Sequence, residues 1–389
     1  MKKYRVFSVF LLGVLLTSLL SLPAAAAGSG SAILDNMHVE AAAALLVDDD
    51  YGEILYEQNA HDKLEPASVT KVMTLLLVME AIDSGRLSLD DTVTMSAHAV
   101  SMGGSQIWLK ENEQMTVRDL LKAVTVVSAN DGAVALAERV AGSEEAFVAM
   151  MNQRALELGM TDTCFVNCTG LPAAGHLTSA HDIAVMSREL ILNHPSIREY
   201  TTIWMDTLRN GAFQLSNTNK LIRFYEGATG LKTGSTDSAL YCLSATAERD
   251  GMELIAVVMK SPTSEKRFES AKSLLNYGFA NYTVMDVYPG QALPPVDVLL
   301  GEQGQVQPVL ASSSRILIDK ADLNGVTTEI RLCENVEAPV EPGQKLGEMA
   351  VLVNGEERQT IPILADQAVK RLSTPGIFLR FLRTLFMAG

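Results

Sequence analysis

The chain has 389 residues, 48% of them apolar, 20% charged and 6% aromatic, with 27 glycines and 13 prolines. That hydrophobicity excludes a disordered chain, and the length allows two or three domains and one sizeable core. Its 31 Lys and Arg against 46 Asp and Glu give a net charge of −15, which excludes a nucleic-acid binder, because a phosphate backbone would be repelled. Any anion the protein handles must be met by a local cluster of cations.

Lys2, Lys3 and Arg5 precede an apolar run from Val6 to Leu22, then Pro23 and four alanines, Ala24 to Ala27. The run is short for a membrane span and the alanines form the small-residue pattern of a signal-peptide cleavage site. Residues 1–27 are therefore expected to be an export segment, cleaved after Ala26 or Ala27, and the protein to work outside the cytoplasm. Ala41–Val47 and Glu53–Gln58 read as a hairpin around Asp48-Asp49-Asp50-Tyr51-Gly52. Glu40, Glu53 and the Asp48–Asp50 run are expected to be solvated charges.

Helical patterns follow over Ala67–Ala81, Val117–Val127 behind the cap Thr116, Gly132–Val140, Ala146–Leu158 and Ser179–Leu192. Strands return at Ala239–Glu248 and Met252–Met259 around the tight turn Arg249-Asp250-Gly251, and Glu265–Tyr277 is a closing helix. Strands at both sequence ends with helices between them predict an α+β domain over residues 28–285. Its antiparallel sheet closes only when the first hairpin meets the last.

From Asp286 the texture changes to Val, Ile, Pro and Gly, with Asn324-Gly325 and Asn354-Gly355 as hairpin turns. Residues 286–365 are read as a small all-β domain without chemistry. In residues 366–389 the breaker Pro375-Gly376 precedes Ile377, Phe378, Phe381, Leu382, Leu385 and Phe386 on one helical face, with Arg380, Arg383 and Thr384 opposite. This amphipathic helix is too short to span a bilayer and suits an anionic membrane interface, here the outer face of the cytoplasmic membrane. The four cysteines, Cys164, Cys168, Cys242 and Cys333, are too few for a disulfide scaffold. Cys164 and Cys168 lack partners at zinc-like spacing, so no metal and no cofactor is expected.

Three short motifs carry the chemistry. Ser68 and Lys71 sit three residues apart at the start of a helix, on one face, so a lysine made neutral by burial or a second cation can act as base toward the hydroxyl. Ser128-Ala129-Asn130 falls between two helices, where a loop presents a hydroxyl and a carboxamide. Lys232-Thr233-Gly234 lies in an extended segment, where a glycine lets a substrate backbone approach a strand edge. The amides of Ser68 and Ser235 can then pair as an oxyanion hole.

The S-x-x-K, S-x-N and K-T-G order resembles the penicillin-recognising serine acyl-enzymes. More closely it is similar to the low-molecular-weight penicillin-binding proteins of the D-alanyl-D-alanine carboxypeptidase family, peptidase family S11. Ser101–Gln106, Phe165-Val166-Asn167, Gly170-Leu171-Pro172 and Leu274–Phe279 extend the likeness over nearly all of the exported chain. It departs at Ala129, where the family more often has Gly, and at Cys168-Thr169.

The resemblance implies a β-lactamase/transpeptidase-like catalytic domain and removal of the terminal D-alanine from peptidoglycan stem pentapeptides. Ser68 is then the nucleophile, Lys71 its base, kept neutral in part by Lys232, and Ser128 a proton relay. Asn130, Lys232, Thr233, Gly234 and Arg267 bind substrate, and β-lactam antibiotics are covalent inhibitors. The alternatives are a non-catalytic envelope or sporulation protein, or a β-lactamase of the same fold. For the last, Glu189 in Glu189-Leu190-Ile191-Leu192-Asn193 is the decoy to judge, and it reads as a helix-surface residue. His176 and His181 suggest a Ser–His site, but no acid is placed to orient either.

Overall fold

The computed structural model describes residues 39–311 and 314–387, so the export segment lies outside the described residues. Strands β1 (Ala43–Asp48) and β2 (Ile54–Gln58) form the first hairpin. Helices α1 (Lys71–Asp83), α2 (Val117–Val126), α3 (Asn130–Ala141), α4 (Glu144–Glu157) and α5 (Ala180–Asn193) follow. Strands β3 (Ala228–Thr236), β4 (Leu240–Arg249) and β5 (Met252–Ser261) and helix α6 (Ser264–Asn281) complete the unit. The sheet is antiparallel in the order β2-β1-β5-β4-β3. The first hairpin thus closes on the last, and β3 is left as an edge.

Local chemistry sets the boundaries. Thr116, Ser143, Ser179 and Thr263 each cap a helix by accepting the amide three residues on. Asp250 and Gly251, both at positive φ, make the β4–β5 turn. Helix α1 buries 10 of its 13 residues, apolar on every side, so it runs through the centre of the unit. Each buried Leu, Val or Met contributes about 1.5–3 kcal/mol, a sum large enough to carry Lys71 at its first position into the interior.

The Asp48–Asp50 turn departs from expectation. Asp50 and Glu53 are exposed, but Asp48 and Asp49 are 0% and 3% exposed. β1 is interior to the sheet, and Arg188 of α5 folds over its end, donating to the carbonyls of Asp49 and Asp50. Burial pushes the Asp48 carboxyl up to about 6 and that of Asp49 up to about 7, the latter also facing Glu253. Glu40 is half-buried and paired with Lys266 at 2.9 Å.

The C-terminal region is β-rich and begins with Tyr282–Asp286, which pairs with Arg315–Asp319. A four-stranded sheet runs Pro308–Leu310, Glu356–Ala365, Lys345–Val353, Val326–Leu332. Asn354-Gly355 is a hairpin turn with both residues at positive φ. Asn324-Gly325 is not; it ends a 3-10 segment, and Gly325 is there because a Cβ would lie 2.0 Å from the Asn354 side chain. Helix α7 (Thr374–Met387) starts before Pro375, which fills the first turn rather than breaking the chain ahead of it.

Candidate active site

Ser68 stands in a 3-10 turn, Ala67–Thr70, that runs directly into α1. Ala67, just before it, has φ +48°, a left-handed conformation that alanine holds only under constraint. The constraint is visible. Thr70 Oγ1 donates to the Ala67 carbonyl at 2.8 Å. His176 Nδ1 accepts the Val166 amide at 3.0 Å, so the proton sits on Nε2, which donates to Thr70 Oγ1 at 2.7 Å. His176 is buried, and burial pushes its pKa down to about 4, keeping it neutral in this role. Gly170 closes the other side; a Cβ there would lie 1.9 Å from the Ala67 oxygen.

Lys71 is fully buried, with Nζ 3.0 Å from Ser68 Oγ. It donates to Asn130 Oδ1 and to the Thr169 carbonyl, each at 2.6 Å. A neutral amine has two N–H bonds and one lone pair. These two acceptors consume the hydrogens and leave the lone pair facing the serine hydroxyl. Burial lowers the Lys71 pKa to about 7, against smaller opposing effects of Cys168 and Asp131.

Ser128 has φ +63° and is buried, and its Oγ finds no hydrogen-bond partner within the protein. Asn130 opens α3 and is held from both ends: Nδ2 donates to the Gly103 carbonyl and its amide to the Ser105 carbonyl, both at 2.7 Å. The neighbouring Asp131, 0% exposed, accepts the amides of Ile107 and Leu109. The Cys168-Thr169 departure makes its hydrogen bonds to this centre through backbone, since the carbonyls of both residues are the acceptors, Cys168 for Thr74 and Thr169 for Lys71.

Edge strand β3 forms the facing wall. Lys232 is buried and donates to the Thr233 carbonyl at 2.8 Å, and Thr233 Oγ1 meets Thr218 Oγ1 at 2.7 Å. A Cβ on Gly234 would lie 2.8 Å from the Pro66 oxygen and 2.8 Å from the Ser68 amide nitrogen. Only glycine lets this strand lie against the nucleophile's amide. Ser235, the next residue, is exposed. Burial, then the charges of Lys71 and Arg267, hold the Lys232 pKa well below the usual lysine range. Burial is the first cause of the lowered Lys71 pKa, and the two buried lysines also repel each other as cations. Arg267 is 6% exposed, not a surface residue, and its guanidinium donates to the Gly234 and Cys242 carbonyls at 3.2 Å.

The fold therefore brings Ser68, Lys71 and Asn130 into direct contact and sets Lys232, Thr233 and Gly234 along one strand beside them, with Arg267 reaching that strand from α6. Thr169 and Asp131 act here through a carbonyl and a carboxylate that no motif announces. The histidines also differ from expectation. His181 does have an acid beside it, Asp182 at 3.1 Å, and stacks on His61 at 4.5 Å. Glu189 is half-buried, with its carboxylate held by Arg154 at 2.5 Å and Asn193 at 2.9 Å. Among the described residues Glu80, Glu189 and His194 form a metal-like donor group, but the Arg154 guanidinium bridges its two carboxylates. All four cysteines are free.

Residues 31–263 match the D-alanyl-D-alanine carboxypeptidase family, Peptidase S11, and residues 287–371 match the penicillin-binding protein 5 C-terminal domain. The chain is 40% identical to the D-alanyl-D-alanine carboxypeptidase DacF of Bacillus subtilis, over 97% of each chain. The solved penicillin-binding protein 5 of Haemophilus influenzae is 30% identical, covers 86% of this chain and 98% of its own, and superposes with a TM-score of 0.75. Penicillin-binding protein D2 of Listeria monocytogenes, solved in an ampicillin-bound form, is 37% identical over 63% of this chain and 99% of its own, with a TM-score of 0.58.

Proposed function

This chain belongs to the D-alanyl-D-alanine carboxypeptidase family of serine peptidases, and on that premise we propose that Ser68 is the residue its substrate acylates. The carboxypeptidase acts on the D-Ala-D-Ala end of a peptidoglycan stem peptide. Ser68 Oγ attacks the carbonyl between the two alanines while Lys71 Nζ accepts its proton. The Ser68 and Ser235 amides hold the oxyanion. The carbon–nitrogen bond breaks, the proton reaches the leaving amine through Ser128, and D-alanine departs. Water, activated by Lys71, then hydrolyses the ester.

Asn130 binds the substrate amide; Lys232, Thr233, Gly234 and Arg267 receive the terminal carboxylate and the strand-like backbone ahead of it. That cluster is how a protein of net charge −15 holds an anion. Penicillins acylate the same serine. The observation that carries this reading is the fully buried Lys71 amine, held by Asn130 Oδ1 and the Thr169 carbonyl with its Nζ 3.0 Å from Ser68 Oγ.

The protein acts outside the cytoplasm, on the export reading of residues 1–27, and α7 rests on an anionic membrane surface. Supporting the second point, Phe378, Phe381 and Phe386 on the apolar face of α7 are 61–83% exposed, although Ile377 and Leu382 are half-buried and Arg380 donates to the Gly301 carbonyl.

The test is D-alanine release from an N-acylated L-Lys-D-Ala-D-Ala tripeptide, with penicillin adduct formation read by intact mass. Wild-type protein is expected to do both and Ser68→Ala neither. Release by a folded Ser68→Ala protein would place the nucleophile elsewhere. No release and no adduct with wild-type protein would favour the scaffold reading.

A further inference from the structure

Trp108 is one of only two tryptophans in the chain, and it is 67% exposed. A single exposed apolar side chain is ordinary; this one is held out by force. Its φ is +57°, a genuine outlier for a bulky residue. Its two neighbours, Ile107 and Leu109, are buried at 0% and 7%, and both donate their amides to the buried Asp131 carboxylate at 3.1–3.2 Å. Arg209 clamps the segment from outside, donating to the Ile107 carbonyl at 2.8 Å and pairing with Glu113 at 2.7 Å. An over-determined backbone thus presents an indole to solvent. Strain of this kind concentrates at ligand clamps.

Its location names the ligand. The same segment gives the Gly103 and Ser105 carbonyls to Asn130, and Asp131 follows Asn130 directly in the chain. Trp108 therefore lies on the segment whose Gly103 and Ser105 carbonyls hold Asn130, the partner of Lys71. On the reading above, the terminal carboxylate lies toward Lys232, Thr233 and Arg267. An extended stem peptide pairing along β3 then directs successive side chains to opposite faces of the sheet, so that one set points toward the Ser68 and Asn130 side of the cleft.

We propose that Trp108 is a subsite for the portion of the stem upstream of the D-Ala-D-Ala bond, and that it selects for substrates long enough to reach it. An indole face takes a saturated, C–H-rich surface: the aliphatic chain of the stem's diamino acid or the apolar face of the sugar to which the stem is attached. This inference rests on the carboxypeptidase reading, and its experiment separates the two.

The measurement is kcat/KM for D-alanine release from three substrates: an acyl-D-Ala-D-Ala dipeptide, a diacetyl-L-Lys-D-Ala-D-Ala tripeptide and a muramyl pentapeptide. Wild type, Trp108→Ala and Trp108→Phe are compared. Trp108→Ala is expected to lose about five- to tenfold of the wild-type gain at one step, and Trp108→Phe to keep most of it. Loss at the dipeptide-to-tripeptide step assigns the diamino acid; loss at the tripeptide-to-muramyl step assigns the sugar. Ratios between substrates are immune to a general loss of folded enzyme. Unchanged ratios in Trp108→Ala would overturn the subsite, whereas no D-alanine release by wild type from any substrate would overturn the carboxypeptidase reading instead. As an independent readout, muramyl pentapeptide should quench the fluorescence of a Ser68→Ala, Trp204→Phe protein, in which Trp108 is the sole tryptophan. An unchanged spectrum at saturating ligand also counts against the subsite.

Discussion

The two halves of the molecule bury different things. Among the described residues every buried polar or charged side chain lies between Asp48 and Ser270, and the β-rich region beyond Val287 buries none. That region instead fills two small cores with Val, Ile, Leu, Ala and Met and turns the aromatic side chains of α7 outward. A buried polar group costs about 1–3 kcal/mol unless it is paired, so a fold tolerates many of them only where they are held to some purpose. The catalytic half is organised around its buried amines and carbonyls; the C-terminal half is an ordinary apolar scaffold with one sticky edge.

The comparison breaks most sharply at Lys71. Lys71→Met should cut penicillin acylation about 10³-fold, measured by stopped-flow or mass, while the fold survives. In wild type, acylation should rise about tenfold per pH unit up to about 7 and then level, as the amine loses its proton. Stability has the same sign. Folding lowers this pKa, so between about 7 and the unfolded value the unfolded chain holds the extra proton and stability falls as pH falls. Lys71→Met should remove that slope and melt higher than wild type at pH 7.

Gly234→Ala comes next. Its methyl group would meet backbone at 2.8–2.9 Å and push β3 away from the Ser68 amide. About a 10²-fold loss of acylation is expected, consistent with a damaged oxyanion site. A loss below threefold would show that the strand can move without consequence.

His176→Ala and Thr70→Val should each slow acylation about tenfold with little change in substrate KM. The double variant should be no slower than the worse single one, because both act through the Ala67 carbonyl. Multiplying effects would mean that the two residues act separately.

Asp49→Asn probes buried polarity away from the site. The unfolded carboxyl ionises near pH 4 and the folded one only at about 7, so wild type loses stability as pH rises across that window. The variant should be more stable by on the order of 4 kcal/mol at pH 8 and equal to wild type near pH 4, by denaturant titration. The smallest effect on activity belongs to the other half. A chain ending at Leu372 should release D-alanine from the soluble tripeptide within about twofold of the full protein, yet no longer float with anionic vesicles. Continued flotation would remove α7 from the membrane argument.

Much of this was legible in the chain alone. The three motifs survive as short segments because each needs only local spacing: Ser68 and Lys71 one turn apart, Ser128 and Asn130 at a helix start, Lys232 to Gly234 on a strand. Sheet closure followed from strands at both sequence ends, and Asn354-Gly355 marked its hairpin because a turn with two positive φ angles is a local demand. Asn324-Gly325 carries the same dipeptide and misleads, since its glycine answers a contact with Asn354.

Tertiary structure decided whatever depended on burial and on partners distant in sequence. Which aspartates of the Asp48–Asp50 turn sink depends on β1 being paired on both sides and on Arg188, distant in sequence, covering its end. That burial lowers the Lys71 pKa, that a Thr169 carbonyl orients its amine, and that His176 steadies the turn ahead of Ser68 are consequences of packing. Periodicity and spacing specify which groups can share a face. Only the closed fold specifies how much water each one keeps, and that quantity sets the pKa of Lys71.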